Sequence, residues 1–285
     1  GKVKPGDTIW LREGIYTGPL ATPISGTAGN PITYRNYHRE RARFDGRGVP
    51  RAFNIIGNYV RFWGLEVYDS LRGSVADDIY TVWSGGSGQG VSYINVISHD
   101  GGMGLEGGEV AYGNILYYNG KSPREHGIYW QNDSDVSGVT KVIKDNIILN
   151  PAGYGIHSYS QLGLLKGFLY DGNTVYNAQS KEIIVGGGNP ISQAVFRNNM
   201  TYHTPGVCAG CGGGLQLGFY VDNYDVVIED NYFADNGSGL YFFKPFNSVT
   251  MLRNNFVALY SPLSLMLGAS NIFKSGGSHN IDNNA

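Results

Sequence analysis

Apolar and polar residues alternate over short runs along most of the chain, and an Asn or a Gly follows each run. This period of two is typical of short β-strands that bury one face, and the bends between them suit Asn and Gly. No stretch has the helical period and length of a crossover helix, which argues against βαβ units. The clearest copies of the run are Val110–Asn114, Val142–Asn146, Phe168–Asn173, Val195–Asn199, Val227–Asn231 and Met251–Asn255, with weaker copies at Val91–Asn95 and Val60–Leu65.

Repeats of this kind favour a solenoid, because a short strand cannot bury its apolar face alone but stacked coils share one core. An Asn at each bend can hydrogen-bond to the Asn at the same bend of the next coil, which forms a ladder. The uneven steps between copies suit coils with constant strands and variable loops. We therefore predict an all-β protein, a right-handed parallel β-helix with a single solenoid of about ten coils, as one domain over residues 1–285.

The repeats resemble those of the pectate-lyase-like superfamily of right-handed parallel β-helices over essentially the whole chain. Residues 5–18 resemble the first coil common in such proteins, and Asn30–Tyr34 with Phe44–Gly46 resembles the second. Most members of this superfamily act on polysaccharides as lyases, hydrolases or epimerases, and some are adhesins or spike shafts. The resemblance thus implies the fold and a glycan partner more strongly than one reaction.

Composition narrows the class of protein further. Charged residues make up 15% of the chain, the formal net charge is −2, and there are 43 Gly and 21 Tyr. This balance provides no basic surface for nucleic acid. No apolar run is long enough to cross a bilayer, so we predict a soluble protein without membrane contact. The chain opens on Gly1–Asp7 as if within a domain, and we expect a secreted monomer whose leader has been removed.

Equal places in successive coils stack about 4.8 Å apart, so an alignment of the repeats maps the surface. A second motif follows each Asn, and strand alternation turns its third residue outward. Another column lies three residues earlier, at the start of the same strand. The outward row is Glu106, Tyr129, His157, Ile184, Gln216, Tyr241 and Met266, and the earlier column is Met103, His126, Tyr154, Lys181, Gly213, Ser238 and Leu263.

Loop lengths point to the same coils. The connections carrying Asn119–Glu125 and Thr204–Cys211 are longer than the others and leave from one edge, so we expect them to wall a cleft around the histidines. A third column follows each Asn by three residues and offers tyrosines for stacking on sugars, although covering a side face is the favoured interpretation. Its members are Tyr68, Ser98, Tyr117, Leu149, Tyr176 and Tyr202.

These side chains are chemically sufficient for a lyase on an acidic, uronic-acid-containing glycan. β-Elimination needs a cation or metal for the carboxylate, a base, and an acid for the leaving oxygen. Lys181 supplies the cation, with Arg124 or Arg197 in reserve. Either histidine is a candidate base, and Tyr129 or Tyr154 a candidate acid. The predicted catalytic set is His126, His157, Tyr129, Tyr154, Lys181 and Glu106, and the predicted substrate-binding set is Arg124, Glu125, Gln216, Tyr241 and Arg197.

Two other functions remain open. A glycoside hydrolase needs two carboxyl groups about 5–9.5 Å apart. Candidate carboxylates are Glu106, Glu125, Glu182 and the pair Asp77 and Asp78, none in a convincing arrangement. The motifs of polygalacturonases and the Arg-x-Pro-x-x-Arg of pectate lyases are absent from the sequence. A non-catalytic glycan-binding or spike-like module would show a flat or convex surface instead of a cleft.

No cofactor is predicted with a defined site, and Ca²⁺ is the candidate metal. Asp133 and Asp135 carry the oxygen ligands that Ca²⁺ takes, although a solvated acidic turn is the favoured interpretation. Asp69, His99 and Asp100 are a second candidate, interpreted first as turn residues. Cys208 and Cys211 form a lone C-x-x-C, which is too few ligands for structural zinc and allows either a disulfide or two thiols.

Overall fold

The computed structural model describes residues 2–71, 80–84, 88–132, 140–161, 163–203, 213–257 and 265–285. Over these ranges the chain forms 33 β-strands and no helix, so no membrane-crossing helix occurs there either. Three parallel sheets contain nearly all of the strands. Each coil adds one short strand to each sheet in turn, which confirms the predicted right-handed parallel β-helix.

The strands are numbered β1 to β33 in chain order. The first sheet holds β1 (Thr8–Leu11), β4 (Ile32–Asn36), β7 (Val60–Trp63), β10 (Ser92–Ile94), β13 (Val110–Tyr112), β16 (Lys141–Lys144), β20 (Phe168–Asp171), β24 (Ala194–Arg197), β27 (Asn223–Glu229), β30 (Phe246–Leu252) and β33 (Phe273–Asp282). The second sheet holds β2 (Gly14–Thr17), β5 (Ala42–Asp45), β8 (Glu66–Tyr68), β11 (Ile97–His99), β14 (Ile115–Tyr117), β17 (Ile147–Leu149), β21 (Thr174–Tyr176), β25 (Met200–Tyr202), β28 (Tyr232–Ala234) and β31 (Asn255–Val257). The third sheet holds β3 (Leu20–Thr22), β6 (Arg51–Ile55), β9 (Tyr80–Ser84), β12 (Leu105–Glu106), β15 (Ile128–Trp130), β18 (Ile156–Ser160), β22 (Ile183–Gly187), β26 (Gly213–Leu217), β29 (Ser238–Phe242) and β32 (Leu265–Leu267). A small extra sheet pairs β19 (Leu165–Lys166) with β23 (Ile191–Ser192).

Among the described strands, ten successive coils each contribute to all three sheets, and β33 adds a last strand to the first sheet. This number agrees with the predicted solenoid of about ten coils. The coils pair in parallel and in register, so residues at equal places lie above one another at the spacing of sheet strands, about 4.8 Å. The register therefore decides which side chains meet on the surface.

The interior of the solenoid is one continuous apolar core. It runs from Ala42 to Ile272 and contains large side chains with no exposed surface, such as Phe62, Trp130 and Phe196. The inward residue of each short strand enters this core and its neighbours face outward. The alternation seen in the sequence therefore arises because each strand has one buried face.

The bend between the first and second sheets carries the predicted asparagine ladder. The side-chain amide of Asn146 donates to Oδ1 of Asn173 at 2.9 Å, and Asn173 repeats this contact with Asn199 at 2.9 Å. The residue before each ladder position has a positive φ, as at Asp145 (53°), which Asn, Asp and Gly adopt most readily. The full ladder is Asn114, Asn146, Asn173, Asn199, Asn231, Asn254 and Asn284.

The structure corrects two of the aligned repeats by one residue. The ladder residue of the last repeat is Asn254 and not Asn255, because Met251 pairs with Ile228. Asn95 pairs in register with Gly113 instead of Asn114, and Val96 takes the ladder position in that coil. The first slip arises because Asn95 occupies the positive-φ position before the ladder residue, and the second because Asn254 and Asn255 are adjacent.

Candidate active site on the third sheet

The outward row of the third sheet lies where the repeats placed it. In register, Tyr129 of β15 lies beside His157 of β18, which in turn lies beside Ile184 of β22. The row continues through Gln216 to Tyr241 in one direction, and through Glu106 to Trp83 in the other. The side chains that the sequence grouped together therefore share one face of the solenoid.

The column at the start of these strands is also stacked, one residue per coil. Backbone hydrogen bonds between coils hold it, since Gly127 N–H donates to the Tyr154 carbonyl and Gly155 N–H donates to that of Lys181, both at 3.0 Å. The rings of His126 and Tyr154 are parallel within 15° at 4.7 Å between centroids. The Nζ of Lys181 lies 5.9 Å from the centroid of the Tyr154 ring.

The row and the column meet at the two histidines. His157 Nδ1 lies 3.0 Å from His126 Nε2, and the two rings are nearly perpendicular, at 81°. The ring of Tyr129 lies 5.1 Å from that of His157 and 5.7 Å from that of His126. Tyr154 contacts His157 as well, at 5.0 Å between centroids. Four aromatic side chains from two coils thus form one compact cluster.

The cluster forms part of the wall of an open cleft with a volume of about 910 Å³. Pro123 and Arg124 also line the cleft, so the long connection Asn119–Glu125 provides part of its wall as the sequence predicted. The other long connection, Thr204–Cys211, lies outside the described residues. Among the described residues, the lining is Met103, Pro123, Arg124, His126, Tyr129, Tyr154, His157, Tyr159 and Gln161.

Burial sets the charge of this cluster. Only 5% of the surface of His126 is exposed, and this burial lowers its pKa to about 3. Burial, followed by the proximity of His126, lowers the pKa of His157 well below its usual value. Both imidazoles are therefore neutral at neutral pH. Burial also lowers the pKa of Lys181 and raises that of Tyr154, which favours the uncharged amine and the protonated phenol.

The predicted substrate-binding residues divide into two groups. Arg124 is exposed and lines the cleft. Tyr241 lies on the outward row, three coils from His157, and its ring packs against Phe243 at 4.1 Å. Gln216 lies on the row between Ile184 and Tyr241 and is fully buried.

Glu125 and Arg197 were also predicted to bind substrate, and their side chains are paired elsewhere. The Glu125 carboxylate accepts the backbone N–H groups of Lys121 and Ser122, at 2.6 and 3.0 Å, within its own connection. Arg197 lies at the end of β24 in the first sheet, where Nη2 pairs with Asp171 at 3.1 Å. The structure therefore corrects the assignment of Arg197, which belongs to a different sheet from the cleft.

Glu106 also lies on this face, together with Tyr159 and Gln161, which the sequence did not predict as site residues. Glu106 is partly buried and lies in register between Trp83 and Tyr129, one coil from His126 and two coils from His157. Tyr159 lines the cleft, and its ring lies 5.6 Å from that of His157. It is two residues beyond His157, so strand alternation was sufficient to predict it. Gln161 follows the strand and carried no periodic signal.

The tyrosine column of the second sheet differs from its predicted form by one residue. Ser98 is fully buried, and His99 takes its place in the outward row between Tyr68 and Tyr117. The slip follows from the misplaced Asn95. The corrected row is Tyr68, His99, Tyr117, Leu149, Tyr176 and Tyr202.

The metal candidates gain no support from the described residues. There, no group of three or more His, Cys, Asp or Glu side chains is arranged to hold a metal ion. Asp69 Oδ1 accepts the N–H groups of Gly48 and Leu71, at 2.8 and 2.9 Å, as expected of a turn residue. Six further candidates, for a metal, a hydrolase or a disulfide, lie outside the described ranges: Asp77, Asp78, Asp133, Asp135, Cys208 and Cys211.

Comparison with known families agrees with this architecture. The family described as right handed beta helix region matches residues 101–284, well over half of the chain. The chain belongs to the right-handed β-helix family. The matched residues include every lining residue of the cleft that the structure describes, so the candidate site lies within the family's β-helix region.

Individual relatives of this β-helix protein are distant. The crystal structure of pectate lyase Pel9A is similar over 99% of this chain and 70% of that chain, with a TM-score of 0.51 and 16% identity. An alginate lyase from Paenibacillus sp. str. FPU-7 is similar over 93% of this chain and 92% of that chain, with a TM-score of 0.46 and 18% identity. A curated relative, the uncharacterized protein YwoF of Bacillus subtilis (strain 168), is 43% identical over 51 residues, which are 18% of this chain and 11% of that protein. The likeness to pectate lyase Pel9A shows the fold alone.

Proposed function

We propose that this β-helix protein is a polysaccharide lyase that acts outside the cell on a uronic-acid-containing glycan by β-elimination. The observation that carries the proposal is the His126–His157 pair in a cleft lined by three tyrosines and Arg124. Such a lining offers one fixed cation and several neutral hydrogen-bond donors to an acidic sugar. These are the groups that stabilise the charge developing on a carboxylate during proton removal.

The cation and the donors have separate roles in this proposal. Arg124 binds the carboxylate of the sugar, since a guanidinium matches the two carboxylate oxygens in a fixed geometry. The two histidines are too weakly basic to remove a proton, because burial holds the pKa of His126 at about 3. His157 serves instead as a neutral group that contacts the substrate, whereas both ring nitrogens of His126 are engaged by the Tyr154 N–H and by His157.

Lys181 and Tyr129 move the protons. The Nζ of Lys181 lies 5.9 Å from the Tyr154 ring, which lines the cleft, and burial lowers its pKa. Its amine removes the proton from the carbon next to the carboxylate. The electron pair of that C–H bond forms the new double bond, and the bond from the neighbouring carbon to the glycosidic oxygen breaks. Tyr129 gives its phenolic proton to that oxygen, and the proton on Lys181 returns to the phenolate through solvent. Atoms and charge then balance without an oxidant or a metal.

Two features favour a lyase over the other candidate functions. Of the carboxylates available to a hydrolase, Glu125 binds the backbone of its own connection and Glu182 accepts the Ala178 N–H at 3.2 Å. Both carboxylates are therefore held by backbone amides, whereas a hydrolase needs them at the scissile bond. The cleft also favours an enzyme over a non-catalytic module, which we expected to have a flat surface.

Product analysis tests this function directly. The full chain is incubated with a panel of acidic polysaccharides, and unsaturated products are followed by their ultraviolet absorbance. We expect absorbance to increase with at least one polyuronate, and Lys181→Met to reduce the rate by roughly 10²–10⁴-fold. Lys144→Met, on the first sheet beside Asp171, is the matched control and keeps the wild-type rate. Reducing ends without unsaturated products would show a hydrolase, and retention without turnover a binding module.

A further inference from the structure

The hydrogen bonds of the histidine pair have a fixed direction. The backbone N–H of Tyr154 donates to His126 Nδ1 at 3.1 Å, and a backbone N–H can only donate. His126 Nδ1 therefore carries no proton. Because a neutral imidazole has one N–H group, that group is at Nε2 of His126.

The proton on His126 Nε2 fixes the direction of the second hydrogen bond, to His157. His126 Nε2 lies 3.0 Å from His157 Nδ1 and donates its proton there, so Nδ1 of His157 is the acceptor. The proton of His157 is then on Nε2. Within the described residues this nitrogen has no protein partner, and the ring lines the cleft. A positive charge on either ring would place two N–H groups against each other.

We infer that His126 is a positioning residue that fixes His157 as the Nε2–H tautomer, so that His157 presents a neutral N–H donor to an acceptor oxygen of the substrate. The identity of that oxygen rests on the proposed function, in which it belongs to the uronate carboxylate beside Arg124. This role replaces the histidine base expected from the sequence. The Nε2 of His157 carries the proton of the ring, so it has no lone pair with which to act as a base.

The surroundings keep the pair neutral. The groups that face it are three phenols, an amine, a guanidinium and one carboxylate: Tyr129, Tyr154, Tyr159, Lys181, Arg124 and Glu106, which lies one coil beyond Tyr129. The ion pairs of histidine with a carboxylate among the described residues involve His99 and His203, so no carboxylate is paired with either ring of the cluster. Burial lowers the pKa values of both histidines in addition, so the tautomer persists through the neutral and mildly acidic range.

Nitrogen NMR on the full chain tests the tautomer without any substrate. The histidines are labelled with ¹⁵N, and long-range ¹H–¹⁵N correlations distinguish Nδ1–H from Nε2–H rings. The signals of His157 are assigned from a His157→Gln variant. We expect the wild-type pair to show two Nε2–H rings at neutral pH. An Nδ1–H ring or an imidazolium at His157 would overturn the inference.

Two substitutions of His126 test the positioning role. His126→Glu places a carboxylate opposite His157 Nδ1, which then becomes the donor and moves the proton of His157 from Nε2 to Nδ1. His126→Gln keeps an amide N–H toward Nδ1 and a carbonyl toward the Tyr154 N–H, so it is the matched control and retains the wild-type tautomer. An unchanged His157 spectrum in a folded His126→Glu variant would contradict the proposed control by His126.

Kinetics then connects the tautomer with the substrate. His126→Glu should raise KM for an acidic oligosaccharide by about 10- to 100-fold, the value of a hydrogen bond to a charged group, while His126→Gln stays within a few-fold of wild type. Equal KM values for the two variants, with different His157 tautomers, would refute the role in substrate binding. If the wild-type protein processes no acidic glycan, the proposed function fails, whereas the NMR result on the tautomer still stands.

Discussion

Two faces of the solenoid hold histidine among tyrosines, and they differ in how the rings meet. On the second sheet, His99 lies between Tyr68 and Tyr117, parallel to them within 3° and 4° at 5.1 and 4.6 Å. Its Nδ1 faces Asp100 at 2.7 Å and its Nε2 faces Glu66 at 3.3 Å. On the third sheet, His126 and His157 are nearly perpendicular and hydrogen-bond to each other.

The difference separates a structural ladder from a candidate site. In the second-sheet ladder the flat faces of His99 are covered by its neighbours and both nitrogens contact carboxylates, so little of the ring remains for a ligand. Sugars stack on open aromatic faces, which this arrangement does not offer. On the third sheet the rings are tilted and line a cleft, and an imidazole nitrogen remains available. On the second sheet the stacked coils place the rings in a ladder. On the third sheet the long connection Asn119–Glu125 adds a wall, and the rings line a cleft.

Removing one phenol from each face should give the largest difference in the rate of product formation. Tyr129→Phe removes the proposed acid and should lower the rate of unsaturated product formation by roughly 10²–10⁴-fold without loss of folding. Tyr117→Phe removes a phenol from the ladder and should leave the rate within about twofold of wild type. Equal effects of the two substitutions would remove the distinction between the faces.

The pH dependence of stability should reflect the neutral pair. The folded-state pKa of His126 is about 3, below the ordinary value near 6.5, so the unfolded chain binds a proton first as the pH falls. The contribution of the group to stability is therefore fully present above about pH 6.5 and is lost at lower pH. The slope reaches about 1.4 kcal/mol per pH unit for each such histidine.

A double substitution isolates this contribution. His126→Gln with His157→Gln should flatten the loss of unfolding free energy between about pH 6.5 and pH 5, by up to about 2 kcal/mol per histidine. Urea unfolding at several pH values measures the difference. A double variant whose stability falls as steeply as that of wild type would show that these imidazoles are not held neutral in the folded protein.

A substitution in the ladder should have the smallest effect and act on stability alone. His99→Gln weakens one contact each to Glu66 and Asp100 and should lower the free energy of unfolding by about 1 kcal/mol. The rate of product formation should not change. Loss of activity in a folded His99→Gln variant would instead assign chemistry to the second sheet.

The rows of the fold were predictable from the sequence because equal places in successive coils stack, as Tyr129 and His157 do. The one-residue slips arose because Asn95 takes the positive-φ place before the ladder position and because Asn255 directly follows the ladder residue Asn254. The hydrogen bond between His126 and His157 was not predictable in detail, since it depends on how far each side chain extends across the face. Arg197 was misassigned because its sheet depends on the bends on either side of it.

A crystal structure of the Lys181→Met variant with an acidic oligosaccharide is the most direct test of whether the third-sheet cleft binds the substrate. We predict the sugar in the third-sheet cleft, with one carboxylate beside Arg124 and an oxygen within hydrogen-bonding distance of His157 Nε2. Sugar bound instead over Tyr68, His99 and Tyr117, with the cleft empty, would contradict it.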